Sequence, residues 1–298
     1  MKILVTGASG FIGSRLWPAL VAAGCDVRLM SRRKEEAAPH EVELVYGDLS
    51  KKESLATALK GVDTVFYLVH SLDASKEQFD RVDRELAANF VAAAKDAGVR
   101  RVIYLSGLGE ARGEQPLSLH LESRKEIGRI LQKGDFATTI LRAAIIIGAG
   151  GASFETLRFI VKTQPVIPVI PELDTKCQPI ALENVIDYLV GCVFEEQTAG
   201  HSYDIGGPEV MSYRQILEGF AEAIGDVNLF LPVPYYSSKL ASMLIGSLST
   251  LKSDVVFALL EGLGNEVICQ ENSLRELIPL KLIPYRKAVN IAMKESSR

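Results

Sequence analysis

Three glycines stand close to the start of the chain, immediately after the short apolar run Lys2–Thr6. In a strand-turn-helix unit Gly7 permits the tight turn, Gly10 lets a pyrophosphate approach the backbone, and Gly13 lets the helix pack closely on its strand. The free amides at the start of that helix favour phosphate oxygens. A glycine-rich turn without a ligand is the alternative, but the flanking strand and helix patterns favour a dinucleotide site. The expected contacts are Gly7, Ser9, Gly10, Phe11, Ile12 and Gly13.

A basic run, Ser31–Lys34, stands just past the second predicted strand. Sites that prefer NAD(H) carry an acidic residue at this point for the adenosine ribose 2′-hydroxyl, whereas arginine suits a 2′-phosphate. No Asp or Glu occurs between Val27 and Lys34. A solvated basic loop is the alternative, but the run favours NADP(H) over NAD(H). The residues expected at the adenosine end are Ser31, Arg32 and Arg33.

Two more strand ends carry candidate contacts, because ligands of open α/β sheets bind at the carboxyl ends of the strands. Asp48 and Leu49 follow the third predicted strand, where we expect them to contact the adenine ring. Leu68, Val69 and His70 end the fourth strand, beside the expected cofactor. Ordinary strand termination is the alternative for both groups, and His70 alone is more often a hydrogen-bonded loop histidine than a catalyst.

The first half of the chain alternates short apolar runs with longer amphipathic stretches, which is typical of strand-helix-strand crossovers onto a parallel sheet. Both faces of such a sheet are covered, so its strands are apolar throughout. The predicted strands are Lys2–Thr6, Asp26–Met30, Val42–Tyr46, Thr64–Val69, Arg101–Ser106 and Thr138–Ile146. The predicted helices are Phe11–Ala23, Lys52–Leu59, Phe79–Ala97 and Leu121–Gln132. This pattern predicts an α/β fold with a Rossmann-type, doubly wound parallel sheet.

The pattern becomes less regular after Gly148, where a glycine turn leads into a proline-bearing stretch from Pro165 to Pro179. A helix at Glu183–Phe194 and a strand at His201–Ile205 predict a return to the sheet. The remainder, from Glu209 to Arg298, is predicted to be helical, with prolines in the joints. We therefore expect an NAD(P)-binding domain over residues 1–150 with a return segment at about 177–206, and a smaller, mainly helical lobe formed by 207–298 with 151–176.

The composition excludes several classes of protein. Hydrophobic residues make up 48% and charged residues 23% of the chain, as in ordinary globular proteins. A formal net charge of -4 gives no broad attraction to a phosphate backbone, so we do not expect nucleic acid as a partner. The four cysteines and four histidines show no metal-ligand spacing, and we expect neither a metal site nor a disulfide framework.

No membrane-spanning helix is expected, because charged residues interrupt the apolar region at 230–263. This region touches a membrane surface at most. The first residues form a strand that enters a turn and lack the long apolar core of a signal peptide, so we expect a cytoplasmic protein.

Several motifs together resemble one protein superfamily. They are the TGASGFIG turn that begins at Thr6, the GDL strand end at Gly47–Leu49, the LSG strand end with Ser106, the LRAAIIIG strand at Leu141–Gly148 and the YDIGGP turn at Tyr203–Pro208. They look like the extended and atypical short-chain dehydrogenase/reductases, and the match covers nearly the whole chain. The chain most resembles the atypical NAD(P)H-binding, nucleoside-diphosphate-sugar epimerase-like members, akin to the nucleotide-binding accessory subunit of respiratory complex I and the NmrA-like regulators.

The resemblance implies a catalytic set that this chain carries only in part. Active members use a serine with Tyr-x-x-x-Lys, in which the tyrosine exchanges a proton with the substrate oxygen and the lysine orients the nicotinamide ribose. Ser106 matches the serine, but His120 stands at the tyrosine position and Arg124 at the lysine position. Lys125 is one residue out of register, which is about 100° around a helix.

The two replacements allow different chemistry. Histidine can exchange a proton at neutral pH, because its reference pKa is about 6.5. Arginine cannot move a proton, but it can hydrogen-bond a ribose or a phosphate. In the alternative, His120 caps or flanks a helix and Arg124 lies on the solvated face of that helix. The candidate catalytic residues are Ser106, His120 and Arg124.

These observations predict an NADP(H)-dependent oxidoreductase that acts on a small, rather apolar carbonyl or quinone-like molecule. The apolar preference rests on apolar runs in the C-terminal part, at 229–236 and 255–260. Two alternatives stay open. The missing tyrosine and lysine fit a protein that binds NAD(P)H as a sensor or as a structural ligand. A sugar-nucleotide epimerase or dehydratase-like enzyme is a second alternative, which the same absence disfavours.

Overall fold

The computed structural model describes residues 1–33, 42–69, 76–109, 117–232 and 262–297, without the side chains of 76–80, 119, 120 and 262. The strands are β1 Lys2–Val5, β2 Asp26–Ser31, β3 Glu43–Tyr46, β4 Thr64–Tyr67, β5 Arg101–Gly107, β6 Ala137–Ala143, β7 Ile146–Ile147, β8 Val166–Val169, β9 Lys176–Cys177, β10 Ile180–Ala181, β11 Ser202–Ile205, β12 Met211–Ser212 and β13 Leu229–Pro232. The helices are α1 Gly13–Ala22, α2 Lys52–Leu59, α3 Lys76–Asp96, α4 Leu119–Leu131, α5 Ala152–Thr163, α6 Leu182–Phe194, α7 Tyr213–Ile224, α8 Ser273–Leu277 and α9 Tyr285–Ser296.

Seven parallel strands form the central sheet, in the order β11-β6-β5-β4-β1-β2-β3. The chain leaves β1 toward one edge and returns through β4 toward the other, so the strand order reverses between β1 and β4. This reversal is the point at which Rossmann-type sheets bind their ligands. The predicted α/β, doubly wound parallel fold is confirmed.

Apolar residues on both faces of the sheet explain why its strands are buried. On one face α1 and α6 cover the sheet through residues such as Leu16 and Leu189, both fully buried. On the other face α2, α3 and α4 pack through Leu55, Phe90 and Ile127. Each strand therefore buries side chains on both of its faces, as the continuous apolar runs predict.

The second half of the chain contains more short strands than the sequence predicts. The strand expected over Thr138–Ile146 ends at Ala143, and Ile146–Ile147 instead pairs with Ile180–Ala181 in a separate small sheet. The interpretation of everything after Glu209 as helical was wrong, because Leu229–Pro232 is a strand that pairs in parallel with Val166–Val169. Strands β8 and β13 are short, and each pairs with the other across more than 60 residues of chain.

A third apolar cluster joins α5, α7 and α9. The Phe154 and Phe220 rings pack with centroids 5.5 Å apart, and the Tyr285 hydroxyl donates to the carbonyl oxygen of Ile216 at 2.8 Å. Phe230 of β13 packs against this cluster, whereas Leu229 and Leu231 are exposed. Within the described residues, no helix has the length and apolar character needed to cross a membrane.

The edge strand β11 is covered by the residues that lead into α8. The Glu271 carboxylate accepts a hydrogen bond from the Asp204 backbone amide at 2.6 Å, and the Gln270 amide donates to the Asp204 carboxylate at 2.9 Å. Arg142 of β6 forms an ion pair with the same carboxylate at 2.6 Å. Burial raises the pKa of Asp204, while the Gln270 amide and the Arg142 charge oppose that rise. Glu271, far along the chain, thus occupies one backbone hydrogen-bonding position of this edge strand.

Candidate functional site

The glycine turn between β1 and α1 is held by its own backbone. Gly7 has a φ of +65°, a conformation that residues with a side chain rarely adopt, and its carbonyl accepts from the Gly10 amide at 2.9 Å. A Cβ on Gly13 would lie 2.1 Å from the Gly7 carbonyl oxygen, so only glycine fits at the start of the helix. Ser9 and Gly10 are exposed, which leaves the backbone amides of the turn accessible to a phosphate.

Thr6 is a buried polar residue that aligns the carboxyl ends of β1 and β4. Its hydroxyl donates to the Phe66 carbonyl at 3.0 Å and accepts from the Leu68 amide at 3.0 Å. The end of β4 is thereby tied to the start of the glycine turn, and Leu68 and Val69 lie half-buried beside it. The sequence analysis did not identify Thr6 as part of the site. The sequence feature that could have indicated this role is the single hydroxyl residue between Val5 and Gly7.

Arg15 and Phe11 connect the glycine turn to the loop before α5. The Arg15 guanidinium donates to the Ala149 carbonyl at 2.7 Å and to the Phe11 carbonyl at 3.2 Å. The Phe11 ring packs so closely on Gly151 that a Cβ there would lie 2.7 Å from the ring. Sequence reasoning placed Phe11 in the turn but missed Arg15, because a single arginine on an amphipathic helix carries no pattern.

Exposed arginines follow β2, as the basic run predicts. Arg32 and Arg33 are exposed, and the Arg33 amide donates to the half-buried Ser31 hydroxyl at 3.1 Å. Lys34 lies outside the described residues. Two cationic side chains therefore lie at the carboxyl end of β2, next to the carboxyl end of β1, where the glycine turn begins.

Asp48 faces this basic group from the end of β3. Partial burial opposes its ionisation, but hydrogen bonds from Ser50 and the charges of Lys51 and Arg32 together hold its pKa below the usual range. Leu49 differs from Asp48, because its side chain is 3% exposed and belongs to the core. Its carbonyl accepts from the Asn89 side chain at 3.1 Å.

Ser106 and Arg124 meet at the end of β5. The Ser106 hydroxyl donates to the Arg124 carbonyl at 3.4 Å, and the Arg124 guanidinium donates to the Leu105 carbonyl. The guanidinium carbon lies 5.9 Å from the centre of the Tyr104 ring. Arg124 is half-buried and packed on the strand, so the alternative that placed it on a solvated helix face is wrong. Lys125, its neighbour, is exposed.

His120 lies in the first turn of α4, which begins at Leu119. The helix is capped by Ser118, whose hydroxyl accepts from the Leu121 amide at 3.4 Å, so His120 is not the cap. Its side chain, like the whole of His70, lies outside the described residues. The apolar runs at 233–236 and 255–260 lie outside them as well.

The sites at β1, β2, β3, β4 and β5 thus share one edge of a sheet with the strand order of dinucleotide-binding proteins. Residues 7–147 match a protein family described as NAD(P)H-binding. This match spans just under half of the chain and identifies these residues as an NAD(P)H-binding domain. The resemblance that the sequence motifs indicate is confirmed.

Two relatives illustrate the range of proteins to which this chain is similar. The chain is 23% identical to NADH dehydrogenase [ubiquinone] 1 alpha subcomplex subunit 9, mitochondrial, of Arabidopsis thaliana, a match covering 94% of this chain and 75% of that protein. It is 32% identical to a 3-beta-hydroxysteroid dehydrogenase of Mycolicibacterium neoaurum, over 39% of this chain and 34% of that protein. The second match covers about a third of each protein.

Solved structures with alignments that cover nearly the whole chain confirm the fold. A nucleoside-diphosphate-sugar epimerase from Staphylococcus aureus has a TM-score of 0.79 at 18% identity, covering 97% of this chain and 100% of that chain. The triphenylmethane reductase of Citrobacter sp., complexed with NADP(H), has a TM-score of 0.78 at 20% identity, covering 98% and 100%. At these identities the likeness establishes the architecture shared with this chain.

Proposed function

We propose that this protein is an NADP(H)-dependent oxidoreductase that acts on a small, rather apolar carbonyl or quinone-like substrate. The observation that carries the proposal is the meeting of Ser106 and Arg124 at the end of β5, on the edge that also holds the glycine turn. A hydroxyl and a cation at this edge suit a substrate oxygen and a cofactor ribose or phosphate. The names of the steroid dehydrogenase and of the triphenylmethane reductase favour oxidoreduction of apolar molecules.

NADPH, when bound, supplies a hydride to the carbonyl carbon. The Ser106 hydroxyl would donate a hydrogen bond to the carbonyl oxygen and stabilise the negative charge that develops there. His120, which stands at the family's tyrosine position, would give its proton to that oxygen and later recover a proton from water. Arg124 donates to the Leu105 carbonyl with part of its guanidinium, and its other N–H groups would orient the ribose or a phosphate.

The residues of the edge fit NADP(H). The exposed backbone at Ser9 and Gly10 leaves space for a pyrophosphate, and Arg32 and Arg33 provide two charges for a 2′-phosphate. The cofactor preference and a cytoplasmic location stay predictions.

The cofactor preference is tested by replacing Arg32 and Arg33 together with alanine. Charge-assisted hydrogen bonds contribute about 1.5–3 kcal/mol each, so calorimetry should show NADPH affinity reduced by about tenfold or more, with NADH affinity nearly unchanged. Arg100→Ala with Arg129→Ala is a matched control, because both arginines are exposed and lie at the opposite, amino-terminal edge of the sheet. Equal affinities of the unmodified protein for NADPH and NADH would contradict the preference.

A non-catalytic NAD(P)H-binding protein is the second candidate function. It is favoured by His120 and Arg124 at the family's catalytic positions and by the match to the mitochondrial NADH dehydrogenase subunit over 94% of the chain. The two functions are separated by following NADPH absorbance with a panel of carbonyl, quinone and enone substrates. Oxidation of NADPH supports the reductase. Tight NADPH binding without turnover of any substrate supports the second candidate.

A further inference from the structure

A second hydroxyl lies behind Ser106 on the same face of β5. Tyr104 and Ser106 are two residues apart in the strand, so their side chains leave the sheet on the same side. The Tyr104 hydroxyl donates to the Arg124 carbonyl at 3.3 Å, and the Ser106 hydroxyl donates to that same oxygen at 3.4 Å. Both residues are buried, and Ser106 is the nearer to the carboxyl end of the strand. The two hydroxyls therefore meet at one acceptor, the Arg124 carbonyl oxygen.

Burial and nearby charges together set the pKa of the Tyr104 hydroxyl. Burial raises the pKa of Tyr104; the Arg124 charge and hydrogen bonding with Ser106 act against this rise, and the Asp83 charge from α3 adds to it. The ring of Tyr67 on β4 packs edge-on against the Tyr104 ring, with the ring centroids 6.1 Å apart, and brings no opposing charge. The net effect is a raised pKa, so the Tyr104 phenol keeps its proton at neutral pH and acts as a hydrogen-bond donor.

We propose that Tyr104 is a positioning residue: when a carbonyl substrate is bound, its hydroxyl donates to Ser106 Oγ and so directs the Ser106 proton to the substrate oxygen. The proposal rests on the proposed function. A serine hydroxyl has one proton and two lone pairs, so a serine that accepts from Tyr104 keeps its own proton for the carbonyl. Successive hydrogen bonds also polarise one another. The 3.3 and 3.4 Å bonds to Arg124 are long, and their exchange for shorter bonds costs little.

A double-mutant cycle on turnover tests this arrangement. Tyr104→Phe removes one neutral hydrogen bond and should lower kcat about tenfold while NADPH affinity stays within about twofold. Ser106→Ala removes the donor to the substrate and should lower kcat by about 10²–10³-fold. The double variant should be no slower than Ser106→Ala alone, because Tyr104 acts only through Ser106. Tyr67→Phe, which removes a hydroxyl from the adjacent buried ring, is the matched control and should leave kcat unchanged.

Effects of Tyr104→Phe and Ser106→Ala that multiply in the double variant would overturn the proposal, as would a loss of NADPH affinity equal to the loss of kcat.

A measurement without substrate separates this inference from the proposed function. The ¹⁹F resonance of 3-fluorotyrosine at position 104 should shift in Ser106→Ala and stay in place in Lys125→Met, a change on the exposed neighbour of Arg124. An unmoved resonance in Ser106→Ala refutes the meeting of the two hydroxyls at the Arg124 carbonyl, on which the proposal depends. A moved resonance without turnover of any substrate refutes the reductase function and leaves Tyr104 with a structural role.

Discussion

The glycine turn after β1 and the Ser106–Arg124 pair at the end of β5 lie on the same edge but depend on different parts of the chain. The turn is defined by backbone: a positive φ at Gly7, an internal hydrogen bond to Gly10, and no space for a Cβ at Gly13. The pair at β5 is defined by side chains: Ser106 matches the serine of active relatives, whereas Arg124 stands where they have a lysine. Binding geometry is therefore fixed by steric requirements that tolerate few residues, whereas the chemical groups can change while the fold stays intact.

The largest effect on cofactor affinity should come from Gly10→Val in the turn. A Cβ at Gly10 meets only the Gly7 carbonyl oxygen, at 3.1 Å, so the protein should fold while the side chain fills the space of the pyrophosphate. Calorimetry should show NADPH affinity reduced by about 100-fold or more, which is about 2.7 kcal/mol. Gly13→Val is the contrasting variant: its Cβ would overlap the Gly7 carbonyl, so its melting temperature should fall as well. Undiminished NADPH affinity in folded Gly10→Val would show that the phosphates bind elsewhere.

A nearly equal effect, on turnover alone, is expected at the other region. His120→Phe should lower kcat by about 10²–10⁴-fold and leave NADPH affinity nearly unchanged, since a positioned acid contributes that much to the rate. Arg124→Ala should instead weaken NADPH binding as well, because its guanidinium orients a ribose or phosphate and transfers no proton. An NADPH-dependent activity that survives His120→Phe would assign the proton to water or to the Ser106 hydroxyl.

The smallest effect, on cofactor preference, is expected from removing the negative charge of Asp48, which faces Arg32. At pH 7.5 Asp48 is ionised, because its pKa is held below the usual range and its charge partly neutralises the basic group. Asp48→Asn should therefore raise the ratio of NADPH to NADH affinity by about two- to fivefold, the size of an exposed charge interaction. Asp96→Asn, an exposed change at the far end of α3, should leave the ratio unchanged. A fall in the ratio would mean that Asp48 assists the 2′-phosphate site.

The sequence predicted the first half of the fold closely because each element there has a local pattern. Lys52–Leu59 was predicted with its observed bounds, and the first five strands of the sheet were predicted to within about two residues at each end. The strand at Leu229–Pro232 was missed, because its partner lies at Val166–Val169 and no local pattern records a distant pairing. Propensity within a short segment cannot supply the hydrogen bonds that define such a strand.

The candidate site shows the same division. The spacing of the glycines predicts the turn, because the steric requirements that select glycine all lie within eight consecutive residues. Contacts between distant segments leave no such record: Thr6 contacts Leu68, and Arg15 contacts Ala149, only after the chain has folded. Arg124 could be placed at the family's lysine position from the motif, but its packing on Tyr104 depends on how α4 lies against β5.

The covering of the edge strand β11 has a consequence for the order in which the chain is made. Glu271 accepts the backbone hydrogen bond of Asp204, and the Gln270 backbone amide donates to the Asp204 carboxylate; both residues follow Asp204 by more than 60 positions. During synthesis β11 therefore leaves the ribosome long before its cover. In that interval the strand offers an open template to any extended segment, including the same strand of a neighbouring nascent chain. The contacts of Gln270 and Glu271 with Asp204 can thus shield this strand from aggregation only after the segment that carries them has also left the ribosome.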